Sequence, residues 1–134
     1  MHGGIEWLID GHDCVPAKLR DRSAVLGLLD RIVAVMDLHV ISTAVHMFPG
    51  PGGITALYLL AESHLTIHTF PETGVATLNA YCCRPRQPAP WGALFAELLG
   101  ARGVTATEHV RGADPEVRGA RGARASEDGP GEGA

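Results

Sequence analysis

The segment from residue 64 to residue 83 constrains the fold most, because its side chains alternate with a period of two. Polar and aromatic residues alternate with apolar ones in Leu65–Phe70 and again in Val75–Cys83, and Pro71 and Gly74 punctuate a turn between them. Since successive strand residues point to opposite faces of a sheet, one face of this strand pair is apolar and suits packing beneath helices. The opposite, helix-free face is predicted to carry His64, Thr66, His68, Phe70, Thr77, Asn79, Tyr81 and Cys83.

The rest of the chain supplies more strands and two helices. Asp21 can cap a first helix, whose apolar residues recur at helical spacing as far as Met36. Pro90 opens a second helix and Gly100 stops it. Apolar and β-branched runs predict strands at Ile5–Gly11, Leu38–Phe48, Ile54–Ala61 and Val104–Arg111. This order predicts an α+β fold, a two-layer sandwich in which two helices cover one face of a mostly antiparallel sheet.

The composition changes at Gly112. Residues 112–134 hold mainly Gly, Ala, Arg, Asp and Glu, and Val117 is their only sizeable aliphatic side chain. Such a segment buries too little apolar surface to offset the entropy lost on ordering. We therefore expect one folded domain over residues 1–111 and a disordered tail over residues 112–134.

Charge and hydropathy exclude several function classes. The net charge is −4 and there is no basic stripe, so a nucleic-acid partner is not expected. No apolar run reaches the length of a membrane span, and residues 1–6 do not resemble a signal peptide, so we expect a cytoplasmic protein without a membrane partner. Cys14, Cys82 and Cys83 are expected to stay reduced, and the seven histidines form no metal-binding motif, so no metal is expected.

Residues 62–72 concentrate reactive groups. The run Glu62-Ser63-His64-Leu65-Thr66-Ile67-His68-Thr69-Phe70-Pro71-Glu72 contains two histidines, two carboxylates and a hydroxyl, and Cys83 follows on the next strand. Ser63 stands beside a peptide bond that it can attack, which indicates a reaction site. The alternation predicts that His68 and Cys83 face one pocket, whereas Cys82 is a buried core thiol.

Residues 62–84, ESHLTIHTFPETGVATLNAYCCR, resemble the motif of the prokaryotic S-adenosylmethionine decarboxylase proenzymes, a pyruvoyl-dependent family. The resemblance extends more loosely over residues 5–111 and includes a Gly/Pro loop and a hydroxyl residue, Thr55, ahead of the motif. It implies an α/β sandwich that forms a homodimer, and it implies decarboxylation of S-adenosylmethionine for spermidine and polyamine synthesis.

The resemblance also implies that the chain cuts itself between Glu62 and Ser63. Ser63 Oγ attacks the Glu62 carbonyl, Thr55 assists, and His68 is the base that removes the Cα proton of residue 63. The products are a β chain of residues 1–62 and an α chain of residues 63–134. Residue 63 of the α chain becomes a covalently bound pyruvoyl group, which serves as the cofactor in place of pyridoxal phosphate or a metal.

For the decarboxylation, the resemblance assigns roles to residues around this group. The pyruvoyl carbonyl forms a Schiff base with the amino-acid substrate, and Cys83 is the proton donor after carbon dioxide leaves. Glu72 holds the ribose hydroxyls of the substrate. Phe70 and Phe48 correspond to aromatic residues that stack on adenine.

The chain departs from the family pattern at positions that bear on the substrate. Phe70 replaces a Trp, Val75 a Tyr, Asn79 an Asp and Arg84 a Gly, and Phe48 is one position out of register. Three interpretations therefore stay open. The first is an S-adenosylmethionine decarboxylase, the second is a pyruvoyl-dependent ornithine or arginine decarboxylase, and the third is an uncleaved, non-catalytic homologue.

Overall fold

A six-stranded sheet and three helices make up the part of the protein that the structure describes. In the computed structural model, which describes residues 3–84 and 86–112, they follow one another as β1 (Gly4–His12), α1 (Pro16–Leu19), α2 (Arg22–Val35), β2 (Val40–Met47), β3 (Ile54–Leu60), β4 (Ser63–Phe70), β5 (Val75–Cys82), α3 (Trp91–Leu99) and β6 (Gly103–Arg111). The tail predicted from residue 112 lies, apart from Gly112, outside the described residues.

The strand order is β2-β3-β4-β5-β1-β6, and every neighbouring pair is antiparallel. The first strand of the chain therefore lies between two late ones, β5 and β6. This arrangement confirms the α+β prediction and the six predicted strands, whose ends move by one or two residues. The short helix α1 was not predicted, because four residues are too few to show a helical period.

The two longer helices begin and end where the sequence indicates. The Asp21 side chain accepts a hydrogen bond from the Ser23 N–H at 3.1 Å, a cap that stabilises a helix by about 1 kcal/mol. Helix α3 follows Pro90 and ends at Gly100, whose φ of 67° belongs to the left-handed region that favours glycine. The side chains that these helices bury are Val25, Leu28, Leu29, Ile32, Trp91, Leu94, Phe95 and Leu99.

The core lies between the helices and one face of the sheet. In strand β4, Leu65, Ile67 and Thr69 are buried, whereas His68 and Phe70 are exposed, as the alternation predicts. Complete burial of a leucine or isoleucine side chain stabilises the fold by about 1.5–3 kcal/mol. This gain requires that the apolar residues face the helices. A shift of one residue in register would turn them toward solvent, so their burial fixes the register.

Thr69 is the polar member of this buried face. Its Oγ1 donates to the Leu19 carbonyl at 2.7 Å and accepts from the Ile54 N–H at 2.8 Å. Gly53 passes so close that a Cβ there would lie 2.0 Å from the Thr69 carbonyl oxygen, so no other residue fits without movement. These contacts fix the start of β3, where Thr55 follows.

Candidate active site

The predicted site residues form two clusters, one at each end of strand β4. The first cluster surrounds the Glu62–Ser63 peptide bond, where the chain enters β4. The Cys83 N–H donates a hydrogen bond to the Glu62 carbonyl oxygen at 3.2 Å, and Ser63 is in register with Cys82. A donor on this carbonyl polarises it and stabilises negative charge that develops on its oxygen. The arrangement thus makes the Glu62 carbonyl carbon more electrophilic, next to the Ser63 hydroxyl.

The two adjacent cysteines differ in exposure. Cys83 is exposed just beyond β5, whereas Cys82 is fully buried. Burial raises the pKa of the Cys82 thiol to about 11, so this group stays protonated at neutral pH. The prediction that Cys82 is a core thiol is confirmed, and Cys83 is the accessible thiol at the Glu62 end.

The side chain of Glu62 is also buried, at 8% exposure. Its Oε2 accepts a hydrogen bond from Arg86 Nη2 at 3.3 Å, an ion pair that the sequence did not predict. The sequence contains little that would predict this ion pair, since Arg86 lies in a Pro-rich loop without a periodic pattern.

The second cluster contains Thr55 and His68. These residues are directly opposite one another on β3 and β4, and Thr55 Oγ1 lies 3.1 Å from His68 Nδ1. The hydroxyl and the imidazole therefore share a hydrogen bond whose direction depends on the histidine tautomer. A cavity of about 310 Å³ opens beside them and is lined by Leu8, Asp10, Thr66, His68, Thr77, Leu78 and Asn79.

Within one chain, His68 and Cys83 lie at opposite ends of the β4–β5 pair and face no common pocket; that they share one stays a prediction, which only an assembly of two chains can meet. His68 is in register with Thr77, at the start of β5, whereas Cys83 follows its end. His68 follows Ser63 by five positions, which corresponds to roughly 17 Å along a strand. The period of two identifies the face of a residue but not its position along the strand, so the sequence alone did not show this separation.

Three residues predicted to bind substrate lie at the His68 end. Phe48 follows β2 and is 49% exposed, with its ring edge-on to His46 at a centroid distance of 4.5 Å. Phe70 ends β4 and is 40% exposed, and Glu72 is exposed in the turn that follows. Their accessibility is compatible with substrate contact, and their assignment to substrate stays a prediction.

A chain of polar contacts crosses the helix-free face between the two ends. Asn79 Oδ1 accepts from His64 Nε2 at 2.9 Å, and Asn79 Nδ2 donates to Glu6 Oε2 at 2.6 Å. Arg111 donates to the other oxygen of Glu6. Partial burial opposes ionisation of Glu6, but the bonds from Asn79 and Arg111 outweigh it and hold the pKa of this carboxyl below its usual value.

This chain of contacts explains one departure from the family motif. An aspartate at position 79 would place a second carboxylate against Glu6, whereas the Asn79 amide donates to it. The sequence did not reveal the network, because its members come from four strands, β4, β5, β1 and β6, whose order is not readable from the sequence.

The described part of the chain contains neither a cluster of three metal-ligating side chains nor a helix that could span a membrane. Within residues 3–84 and 86–112, no three His, Cys, Asp or Glu side chains cluster as metal ligands. None of the helices formed by these residues is long and apolar enough to cross a bilayer.

Known proteins with similar sequences share one description. The family described as S-adenosylmethionine decarboxylase matches residues 5–112. An S-adenosylmethionine decarboxylase proenzyme of Clostridium tetani is 34% identical over 107 residues, which cover 78% of this chain and 83% of that protein. A protein of the same description from Pyrobaculum islandicum is 36% identical over 72 residues, 54% of this chain and only 58% of the relative's length.

The comparison with solved structures indicates the same family. The crystal structure of the adenosylmethionine decarboxylase from Aquifex aeolicus is similar with a TM-score of 0.70 and 29% identity. The match covers 86% of this chain and 95% of that one, so the two folds are similar over most of their length.

Proposed function

The chain belongs to the S-adenosylmethionine decarboxylase family, and we propose that it decarboxylates S-adenosylmethionine with a pyruvoyl group made from its own Ser63. The observation that carries the proposal is the hydrogen bond from the Cys83 N–H to the Glu62 carbonyl. Glu62 immediately precedes Ser63 in the chain, so the polarised carbonyl lies next to the serine hydroxyl. The names of the relatives support S-adenosylmethionine as the substrate over ornithine or arginine.

Self-cleavage begins at this carbonyl. Ser63 Oγ adds to the Glu62 carbonyl carbon, the C–N bond breaks, and the Ser63 nitrogen takes up the hydroxyl proton, which leaves an ester. A base then removes the Cα proton of residue 63, the Cβ–O bond breaks, and Glu62 leaves as a carboxylate. The resulting dehydroalanine adds water and releases ammonia, so that residue 63 ends as a pyruvoyl group. The N–H of Cys83 favours the first step, because it stabilises negative charge on the Glu62 oxygen.

The base for this sequence has to come from a second chain. His68 and its partner Thr55 lie roughly 17 Å from Ser63. A two-fold axis perpendicular to the strands makes β4 of one subunit run antiparallel to β4 of the other. His68 of the partner subunit then lies at Ser63, and the two subunits form two equal sites. The helix-free face, which would form the interface, exposes apolar side chains that a monomer would leave in water: Leu8, Leu57, Leu59 and Phe70.

The same interface would form the site for decarboxylation. A pyruvoyl group supplies a carbonyl that condenses with the substrate amine and withdraws electrons as carbon dioxide leaves. Cys83 is exposed next to it and returns a proton to the substrate carbon. Phe48 and Phe70 offer accessible rings for stacking on adenine, and Glu72 a free carboxylate for the ribose hydroxyls.

Mass spectrometry and an activity assay test this function. We expect the purified protein to give two fragments, residues 1–62 and a pyruvoyl-capped 63–134, and Ser63→Ala to stay whole. Release of carbon dioxide from S-adenosylmethionine, ornithine and arginine is compared with one preparation. A single full-length mass for the unmodified chain would refute the proposal, and release from ornithine or arginine alone would refute the substrate.

A further inference from the structure

Arg86 and Glu62 form a buried ion pair directly at the bond that is cut. Glu62 is 8% exposed and the Arg86 side chain 21% exposed, so little water screens the 3.3 Å contact between Nη2 and Oε2. The other carboxylate oxygen of Glu62, Oε1, is buried and has no hydrogen-bond partner among the described residues. The carboxylate therefore depends on Arg86 for the compensation of its charge.

The same short loop holds Glu62 at a second point. The Cys83 N–H contacts the main-chain oxygen of Glu62, and Arg86, three residues later, contacts its side chain. Arg86 Nη2 also donates to the Asp37 carbonyl at 3.5 Å, in the turn after helix α2. Two contacts from one loop fix both the main chain and the side chain of Glu62, so the carbonyl cannot rotate away without breaking one of them.

We propose that Arg86 is a positioning residue for self-cleavage, which holds the Glu62 carbonyl on the Cys83 N–H while Ser63 attacks. This inference rests on the proposed function. Without the guanidinium, a buried carboxylate is left unpaired, and the lowest-cost response is for Glu62 to turn toward water. Because Glu62 is buried, its side chain reaches water only if the main chain around it shifts as well, and that shift moves the carbonyl oxygen away from the Cys83 N–H.

Neutralising Glu62 distinguishes a positioning role of Arg86 from a role that only stabilises the loop, because the two roles predict different cleavage rates. If Arg86 acts by holding the charge of Glu62, the loss caused by Arg86→Ala should be largely reversed in the double variant Glu62→Gln/Arg86→Ala. If Arg86 only stabilises the loop, the double variant should cleave as slowly as Arg86→Ala. The pair is therefore suited to a double-mutant cycle.

The experiment follows cleavage of freshly translated full-length chain over time by intact mass, with circular dichroism to verify the fold. Arg86→Ala should slow cleavage by about 10- to 100-fold, as expected for a misplaced reacting group. Arg86→Lys, which keeps the charge, should restore most of the rate. The matched control is Arg31→Ala, which breaks an exposed Arg–Glu pair between helices α2 and α3 that includes neither Glu62 nor its contacts and should cleave at the unmodified rate.

The outcomes separate this inference from the proposed function. An unmodified chain that never cleaves would refute the proposed function itself. An unmodified chain that cleaves, together with Arg86→Ala at the same rate, would overturn only the role of Arg86. An unfolded Arg86→Ala chain, or a double variant no faster than Arg86→Ala, would assign Arg86 a structural role and overturn the inference as well.

Discussion

Ser63 and His68 lie on the same strand, β4, but roughly 17 Å apart, so no side-chain rearrangement within one chain brings them together. Thr55 is directly opposite His68 and hydrogen-bonded to it, which places both groups at the far end of β4 from the Glu62–Ser63 bond. The chemistry proposed for Ser63 therefore requires a partner subunit.

Co-expression of two uncleaved variants tests this requirement. We expect Ser63→Ala and His68→Ala each to stay without a pyruvoyl group when expressed alone. In mixed dimers, the His68→Ala chain retains its Ser63 and meets His68 of the partner subunit, so this chain should be cut. Different affinity tags and intact-mass measurement identify which chain was cleaved. If both chains remain whole in purified mixed dimers, the shared site is refuted.

The adjacent cysteines provide a second prediction. Cys83→Ala should still self-cleave but lose turnover by about 10²-fold or more, because general acids contribute at least that much. Cys82→Ala should change turnover little, since its thiol is buried on the helix side of the sheet. Steady-state kinetics on cleaved protein measures both. Similar losses from the two substitutions would contradict the difference in exposure.

The buried thiols predict a loss of stability at alkaline pH. Burial raises the pKa of Cys82 to about 11 from a model-peptide value near 9. The folded state keeps this proton longer than the unfolded state, so the contribution is fully present below pH 9 and is lost as the pH rises through about 11. The loss amounts to about 3 kcal/mol for this thiol.

Urea unfolding between pH 8 and pH 11 measures this effect. Cys82→Ala should show a smaller decrease in unfolding free energy over that range than the unmodified chain. Cys14 is a second buried thiol with a pKa raised to about 11, so part of the decrease should remain in the variant. An unchanged slope for Cys82→Ala would contradict the prediction.

The sequence predicted what depends on local pattern. The Asp21 cap, the Gly100 stop and the alternating faces of β4 and β5 agree with the structure, because each rests on residues close together in the chain. The separation of His68 from Cys83 within one chain was not predicted, because position along a strand depends on pairing register.

Contacts between distant parts of the chain could not be predicted either, because they also depend on how the strands pair. The Arg86–Glu62 pair spans 24 residues and the Asn79–Glu6 bond spans 73, and neither leaves a periodic trace in the sequence. The inward-facing Thr69 could be assigned to its face, but its hydrogen bonds to Leu19 and Ile54 could not.

The position of β1 between β5 and β6 has a consequence for the order of events in maturation. A cut at residue 62 leaves β1 on one polypeptide and both of its neighbours on the other, so the two pieces are interleaved. Two separate polypeptides would have to associate at their concentration in solution before β1 could pair with β5 and β6. In one continuous chain the same strands pair at an effective concentration in the millimolar range. Since the Cys83 N–H reaches the Glu62 carbonyl only when β4 and β5 are paired, the proposed cut would follow folding, when the continuous backbone is no longer needed to hold the sheet together.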